Sequence, residues 1–246
     1  MLGLPDGVHA LLFDLDGVLT KTATVHAAAW KQMFDEFLKS WSDQHCTEFV
    51  PFDIVKDYDE YVDGKPRYDG VQSFLESRGI ELPQGTPDDP PAAATVDGLG
   101  NRKNEIVLKM IHDQGVEPYE GSVRYVNAAR KAGLPRAVVS SSANAHEVLK
   151  AAGYEGMFDA VVDGVVLERD HLAGKPAPDS FLAGARALGA EPAAAAVYED
   201  ALAGVQAGRA GKFGFVVGVD RVGQAEALRE HGADVVVKDL SLLLDQ

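Results

Sequence analysis

The chain has 246 residues, 46% of them apolar, and a net charge of −15 at pH 7. That length suits one sizeable domain or a domain with an inserted partner, and an acidic chain without a basic stripe argues against nucleic acid and anionic membrane surfaces as partners. Cys46 is the single cysteine, which excludes an intrachain disulfide and fits a reducing compartment. With no run near the roughly 18 apolar residues of a membrane span and no signal-peptide pattern, a soluble cytoplasmic protein is expected, as a monomer or weak homo-oligomer.

The first element is an apolar run over 8–13, predicted as a buried strand, which ends in Asp14-Leu15-Asp16-Gly17. Residues 23–38 read as a helix, followed by an aromatic and acidic region without strand alternation. Residues 84–100 are rich in Pro, Gly, Ala and Asp and predict a mobile or loop segment. Residues 100–113 look helical again. From there strands at 136–140, 160–163, 194–200, 213–218 and 234–237 alternate with helices at 122–132, 145–152, 179–188, 201–210 and 224–231. Several of these helices run into a glycine (Gly133, Gly153, Gly189, Gly211, Gly232), as helix C-termini often do. Apolar strands alternating with helices predict an α/β fold, a Rossmann-like parallel sheet covered on both faces. The stretch 22–111 reads as a helical insertion, a cap on a core made of 1–21 and 112–246.

In such sheets ligands sit at the carboxyl ends of the strands. Three predicted strands carry polar groups there: Asp14 and Asp16, then Ser140, Ser141 and Ser142, then Glu199 and Asp200. Buried carboxylates are costly in isolation and repel one another. A divalent cation relieves both problems, and the hard oxygens suit Mg²⁺. Asp14, at the strand end, is the nucleophile candidate. Asp16, past the bend, is the acid/base candidate, with its backbone carbonyl available to the metal. Hydroxyls and N–H groups at a helix start bind phosphate, although Ser and Asn also serve as simple N-caps. Glu199 and Asp200 also fit a charged helix start. Lys175, in Gly174-Lys175-Pro176-Ala177-Pro178, stands in a proline-stiffened loop as a point cation for phosphate.

These four motifs, in this order and over nearly the whole chain, resemble those of the haloacid dehalogenase superfamily of phosphoryl-transfer enzymes. The resemblance implies an aspartyl-phosphate intermediate with Mg²⁺, held by Asp14, Asp16, Glu199 and Asp200, and a helical cap inserted after the first strand. A closer resemblance is to the β-phosphoglucomutase family. It implies catalytic roles for Thr22 and His26 near the hinge. It also implies sugar-phosphate contacts from Arg67 (in Gly64-Lys65-Pro66-Arg67), Lys103 and Asn144, beside Ser140 and Lys175. The reaction expected from that resemblance interconverts β-glucose 1-phosphate and glucose 6-phosphate, with β-glucose 1,6-bisphosphate as activator. A sugar-phosphate phosphatase on the same core is the alternative, and a non-catalytic phosphosugar-binding protein is a third. A dehalogenase has no leaving alcohol to protonate, so Asp16 argues against it. Residues 41–61 and 84–100 depart from the family pattern.

Overall fold

The computed structural model describes residues 2–244. The chain divides into two compact units. The first runs to Lys21, takes in Gly64–Pro66 and resumes at Val116; the second is Thr22–Asp63 with Arg67–Gly115.

The first unit is built on six parallel strands: β1 (Ala10–Phe13), β2 (Arg136–Val139), β3 (Ala160–Val162), β4 (Ala195–Glu199), β5 (Phe215–Val219) and β6 (Val235–Val237). Their order across the sheet is β3-β2-β1-β4-β5-β6, so the chain reverses direction of growth at β1/β4. A ligand crevice forms at such a switch point. β1 is central and all four of its side chains are buried. Its register aligns Phe13 with Val138 on one side and Tyr198 on the other. The next residue of each strand therefore comes level: Asp14, Val139 and Glu199. Each is succeeded by a polar group within two positions.

Helices cover both faces, and glycines set how closely two of them approach. The helix Asp179–Ala187 packs on β1 and β2 at Gly184, where a Cβ would lie 2.7 Å from Leu12 and 2.8 Å from Val139. The helix Leu202–Ala210 packs at Gly208 on Val197 and Val216. Three of the five glycine stops come after their helix with φ between +64° and +76° (Gly133, Gly153, Gly189), and Gly232 has φ +116°. Gly211 does not: it keeps φ −75°, and Lys212 takes the left-handed turn with φ 57°. The helix Gly164–Arg169 has no counterpart among the sequence expectations; it is short, and it is capped where Val166 N–H donates to Asp163 at 3.0 Å.

The second unit has three helices: α1 (Ala23–His45), α2 (Arg67–Ser77) and α3 (Val96–Gln114), with one π-helical turn at Tyr58–Val62. α1 runs seven residues beyond the expected stop at Leu38, because Trp41 extends the apolar face and stacks on His45 at 3.9 Å. It ends at Cys46, which turns left-handed with φ 53°. α2 is hidden in the aromatic, acidic region. Its Gly70 admits the Trp30 ring, which a Cβ would meet at 3.2 Å. α3 begins four residues before 100, inside the segment expected to be loop, because Thr95 caps it by accepting from Gly98 N–H at 2.9 Å. The rest of that proline-rich segment is loop and is tied down: Thr86 and Thr95 donate to the Asp89 carboxylate, and Asn101 donates to the carbonyls of Pro87 and Asp89. The core of this unit is aromatic, with Phe34 packed against Trp30, Phe52 and Phe74 at 4.1–5.3 Å between ring centres.

Candidate active site

The carboxyl edge of the sheet gathers four charged side chains from three distant segments. Lys175 is fully buried. Its ammonium donates to Asp14 Oδ1 at 2.5 Å, to Glu199 Oε1 at 2.6 Å and to the Val139 carbonyl at 3.3 Å. All three hydrogens of the ammonium are thereby used. The Lys175–Pro176 peptide bond is cis. Glu199 is committed on both oxygens, since Oε2 accepts from Ala201 N–H at 2.9 Å. Asp14 is anchored through its backbone, whose N–H donates to the Tyr198 carbonyl at 2.9 Å.

Two glycines make room for the acids. At Gly204 a Cβ would lie 1.8 Å from Glu199 Oε1, and at Gly17, where φ is +83°, a Cβ would lie 1.7 Å from Asp200 Oδ2. The Gly17 backbone is one that L side chains rarely adopt, so the glycine of the first motif serves both the turn and the clearance. Gly204 belongs to none of the four motifs; the Ala-Leu-Ala-Gly run straight after an acidic pair is its only signal in the sequence.

Burial pushes the Asp14 carboxyl well above its ordinary range; Lys175 opposes this, while Glu199 and Asp16 reinforce it. Burial alone would lower Lys175, but the two carboxylates in contact with it hold it above its usual value. Asp14, Glu199 and Asp200 each place one oxygen within 4.8 Å of the others. Three carboxylates and one ammonium leave two negative charges in a buried space. That is the charge and the oxygen-donor set a Mg²⁺ ion satisfies, so these residues fit the group. Among the described residues, Asp16 does not contribute its carboxylate to this cluster. Asp16 lies instead in a tight turn, bridged to Thr20, with Gly17 N–H donating to the Thr20 carbonyl at 2.8 Å.

The serine segment comes directly after β2. Ser140 is buried, and its Oγ accepts from Ser142 N–H at 3.0 Å. Ser141 donates to the Gly64 carbonyl at 2.7 Å. Ser142 Oγ accepts from Asn144 N–H at 3.2 Å. Asn144 occupies the N-cap position of the helix Ala145–Ala151, but its side chain makes no capping bond.

Thr22, His26, Arg67 and Lys103 all belong to the second unit. Thr22 is buried at the start of α1, and its carbonyl accepts from His26 N–H at 2.9 Å. The structure brings His26 and Lys103 together across 77 residues: Lys103 Nζ lies 2.8 Å from His26 Nδ1 and 4.7 Å from the Trp30 ring centre. Arg67 opens α2 with its guanidinium 5.1 Å from the Tyr68 ring.

The profile of the haloacid dehalogenase-like hydrolases matches residues 8–212. A protein of Mycobacterium bovis named β-phosphoglucomutase is 58% identical over 247 aligned residues, covering 99% of this chain and 94% of the relative. A fructose-1-phosphate phosphatase of Escherichia coli is 31% identical, covering 81% of this chain and 90% of its own. Among solved structures, a β-phosphoglucomutase of Clostridium difficile superposes with a TM-score of 0.76 over 96% of this chain and 93% of its own, at 24% identity.

Proposed function

Because the chain belongs to the haloacid dehalogenase-like hydrolase family, we propose that it is a β-phosphoglucomutase, interconverting β-glucose 1-phosphate and glucose 6-phosphate by Mg²⁺-dependent phosphoryl transfer. The observation that carries the chemistry is the buried Lys175 ammonium shared by Asp14 and Glu199, with Asp200 beside them. The 58% identity to a β-phosphoglucomutase across 99% of the chain favours the mutase over the phosphatase, whose named relative stands at 31% over 81%.

Asp14 is the nucleophile in this reading. Its carboxylate oxygen forms a bond to phosphorus as the phosphate ester bond of β-glucose 1,6-bisphosphate breaks and Asp16, as the acid, gives its proton to the departing sugar oxygen, leaving an aspartyl phosphate and a sugar monophosphate. Asp16 then takes the proton from a hydroxyl of β-glucose 1-phosphate as that oxygen attacks the phosphorus and Asp14 is released. Such proton transfer contributes roughly 10²–10⁴ in rate. Lys175 stays charged throughout, because both its carboxylate partners favour the ammonium, and it offsets negative charge beside the transferring group. Held among Asp14, Glu199, Asp200 and the Asp16 carbonyl, Mg²⁺ would supply charge neutralisation to the phosphoryl oxygens. Ser140, Ser141, Ser142 and Asn144 are read as lining the phosphate side.

The second unit, Thr22–Asp63 with Arg67–Gly115, is read as the cap expected over 22–111, whose closure keeps water from the phosphorylated Asp14. Arg67 is assigned to the distal phosphate, which its planar fork suits. His26, with Thr22, is assigned to aligning Asp16 as the cap closes, with Lys103 as its partner. No helix among the described residues is long and apolar enough to cross a membrane, and the reading places the enzyme in the cytoplasm. The test is an assay of purified protein with β-glucose 1-phosphate, Mg²⁺ and trace bisphosphate. Glucose 6-phosphate forms without stoichiometric phosphate release if the reading is right. Phosphate release from many sugar phosphates, with no glucose 6-phosphate, replaces the mutase with the phosphatase.

A further inference from the structure

We propose that Arg221 is a positioning residue for the metal site, and that the loop Asp220-Arg221-Val222-Gly223-Gln224 brackets the two backbone segments that present the acids; the metal role rests on the phosphoryl-transfer reading above. The loop leaves the end of β5 and lies outside all four motifs. Arg221 Nε donates to the Gly17 carbonyl at 2.6 Å, its Nη2 reaches the Val18 carbonyl at 3.4 Å, and Nη1 donates to Lys238 O at 2.8 Å. The guanidinium also covers the Tyr119 ring, 3.5 Å from its centre. Three residues on, Gln224 Nε2 donates to the Asp200 carbonyl at 3.0 Å.

One loop thus holds Gly17, next to Asp16, and Asp200 itself. These are the segments already in contact, since Gly17 leaves no room for a Cβ beside the Asp200 carboxylate. The loop is itself pinned. The Asp220 carboxylate accepts from Gly223 N–H at 2.7 Å and Gln224 N–H at 2.8 Å, and Asp220 N–H donates to Val237 O at 2.8 Å. Neither Arg221 nor Gln224 is a ligand candidate. Their effect runs through the carbonyls they hold, and hence through the placement of the oxygen donors. Partners that orient metal ligands are typically worth about 10–100-fold in metal affinity or activity. The forked, planar guanidinium is essential to the role, because it spans the Gly17, Val18 and Lys238 carbonyls while lying flat on Tyr119, and a compact lysine ammonium reproduces neither the span nor the stacking.

The test is calorimetric titration of Mg²⁺ into wild type, Arg221→Ala, Arg221→Lys and Gln224→Ala, with circular dichroism to confirm folding. Arg209→Ala is the control: it loses hydrogen bonds to Gly232 and Asp234 in the same unit, away from the acids. Arg221→Ala weakens Mg²⁺ binding by about 10–100-fold and lowers kcat more than it raises KM. Arg221→Lys does not restore the affinity, Gln224→Ala shifts it less in the same direction, and Arg209→Ala leaves it at the wild-type value. A folded Arg221→Ala with wild-type Mg²⁺ affinity overturns the proposal, as does an equal loss in Arg209→Ala. If Arg221→Ala does not fold, unchanged affinity in both Arg221→Lys and Gln224→Ala overturns it. If wild type binds Mg²⁺ but does not turn over β-glucose 1-phosphate, the functional reading fails while the calorimetry still decides the bracket.

Discussion

The two units hold their buried lysines in opposite ways. In the first, Asp14, Lys175, Glu199 and Asp200 meet where parallel strands end, and carboxylates outnumber the ammonium three to one. In the second, the buried Lys103 rests on an imidazole and an indole ring. His26 and Trp30 stand four residues apart on α1, so one helix face presents both, and α3 delivers Lys103 to them. The contrast is between a lysine outnumbered by carboxylates and a lysine set against two aromatic rings. The first arrangement is built for chemistry on an anion; the second holds a positive group in place.

The largest effect that tests this contrast is expected from Asp14→Asn. Without the proposed nucleophile, turnover falls by roughly 10⁴-fold or more, and the phosphorylated protein expected by mass spectrometry in wild type after incubation with bisphosphate does not form. The same variant carries a pH signature in the metal-free state. Burial raises the Asp14 carboxyl above its unfolded value, so the native state holds that proton more tightly than the unfolded chain. Its contribution to stability is present at low pH and is lost as pH rises from the unfolded carboxylate value to the raised one. Urea midpoints of wild type in chelator therefore fall as pH rises above the ordinary carboxylate range, and asparagine flattens that part of the curve. An unchanged slope in Asp14→Asn would assign it to another group.

Lys175→Met comes next. It removes the cation that the buried Asp14 and Glu199 share, and breaking a buried pair from one side costs about 3–5 kcal/mol. Urea unfolding measures the loss, and Mg²⁺ recovers part of it by binding only the native state. Lys103→Met is the matched change in the second unit. It removes the contacts with the His26 and Trp30 rings, for which about 1–2 kcal/mol is expected. Equal costs for the two lysines would erase the distinction between the units.

Legibility in the sequence divides along the same line. The first unit is readable because a parallel sheet repeats one rule: an apolar run stops, and the polar residues just past it reach the carboxyl edge. Asp14, Ser140, Glu199 and Asp200 all obey it. Lys175 does not come from a strand end, and its contact with Asp14 and Glu199 depends on a loop path that no local period encodes. Arg221 is silent for a different reason: it acts on backbone carbonyls 203 and 204 positions away, and carbonyls leave no trace in a sequence. In the second unit local periodicity is weaker. α2 is short, opens on Arg-Tyr-Asp-Gly and carries a glycine at the helix contact, so its propensity argues against the helix that tertiary packing on Trp30 supports.

The start of α3 shows how small a cue decides such a boundary, and it bears the smallest predicted effect. Thr95 has extended backbone angles and accepts from Gly98 N–H, while its hydroxyl donates to Asp89 at 2.7 Å. One side chain therefore both begins the helix and ties the proline-rich loop to it. Thr95→Ala removes the cap and costs about 1 kcal/mol, read as a shift in the urea midpoint. Asn101, on α3, still donates to the Pro87 and Asp89 carbonyls, so the loop keeps its other ties to the helix. Hydrogen exchange of the first α3 amides rises first at Gly98, the group left without its acceptor, while the amides of β1 stay at wild-type protection. Faster exchange in β1 as well would mean that the two units unfold together, and the difference between their sites would not extend to their stability.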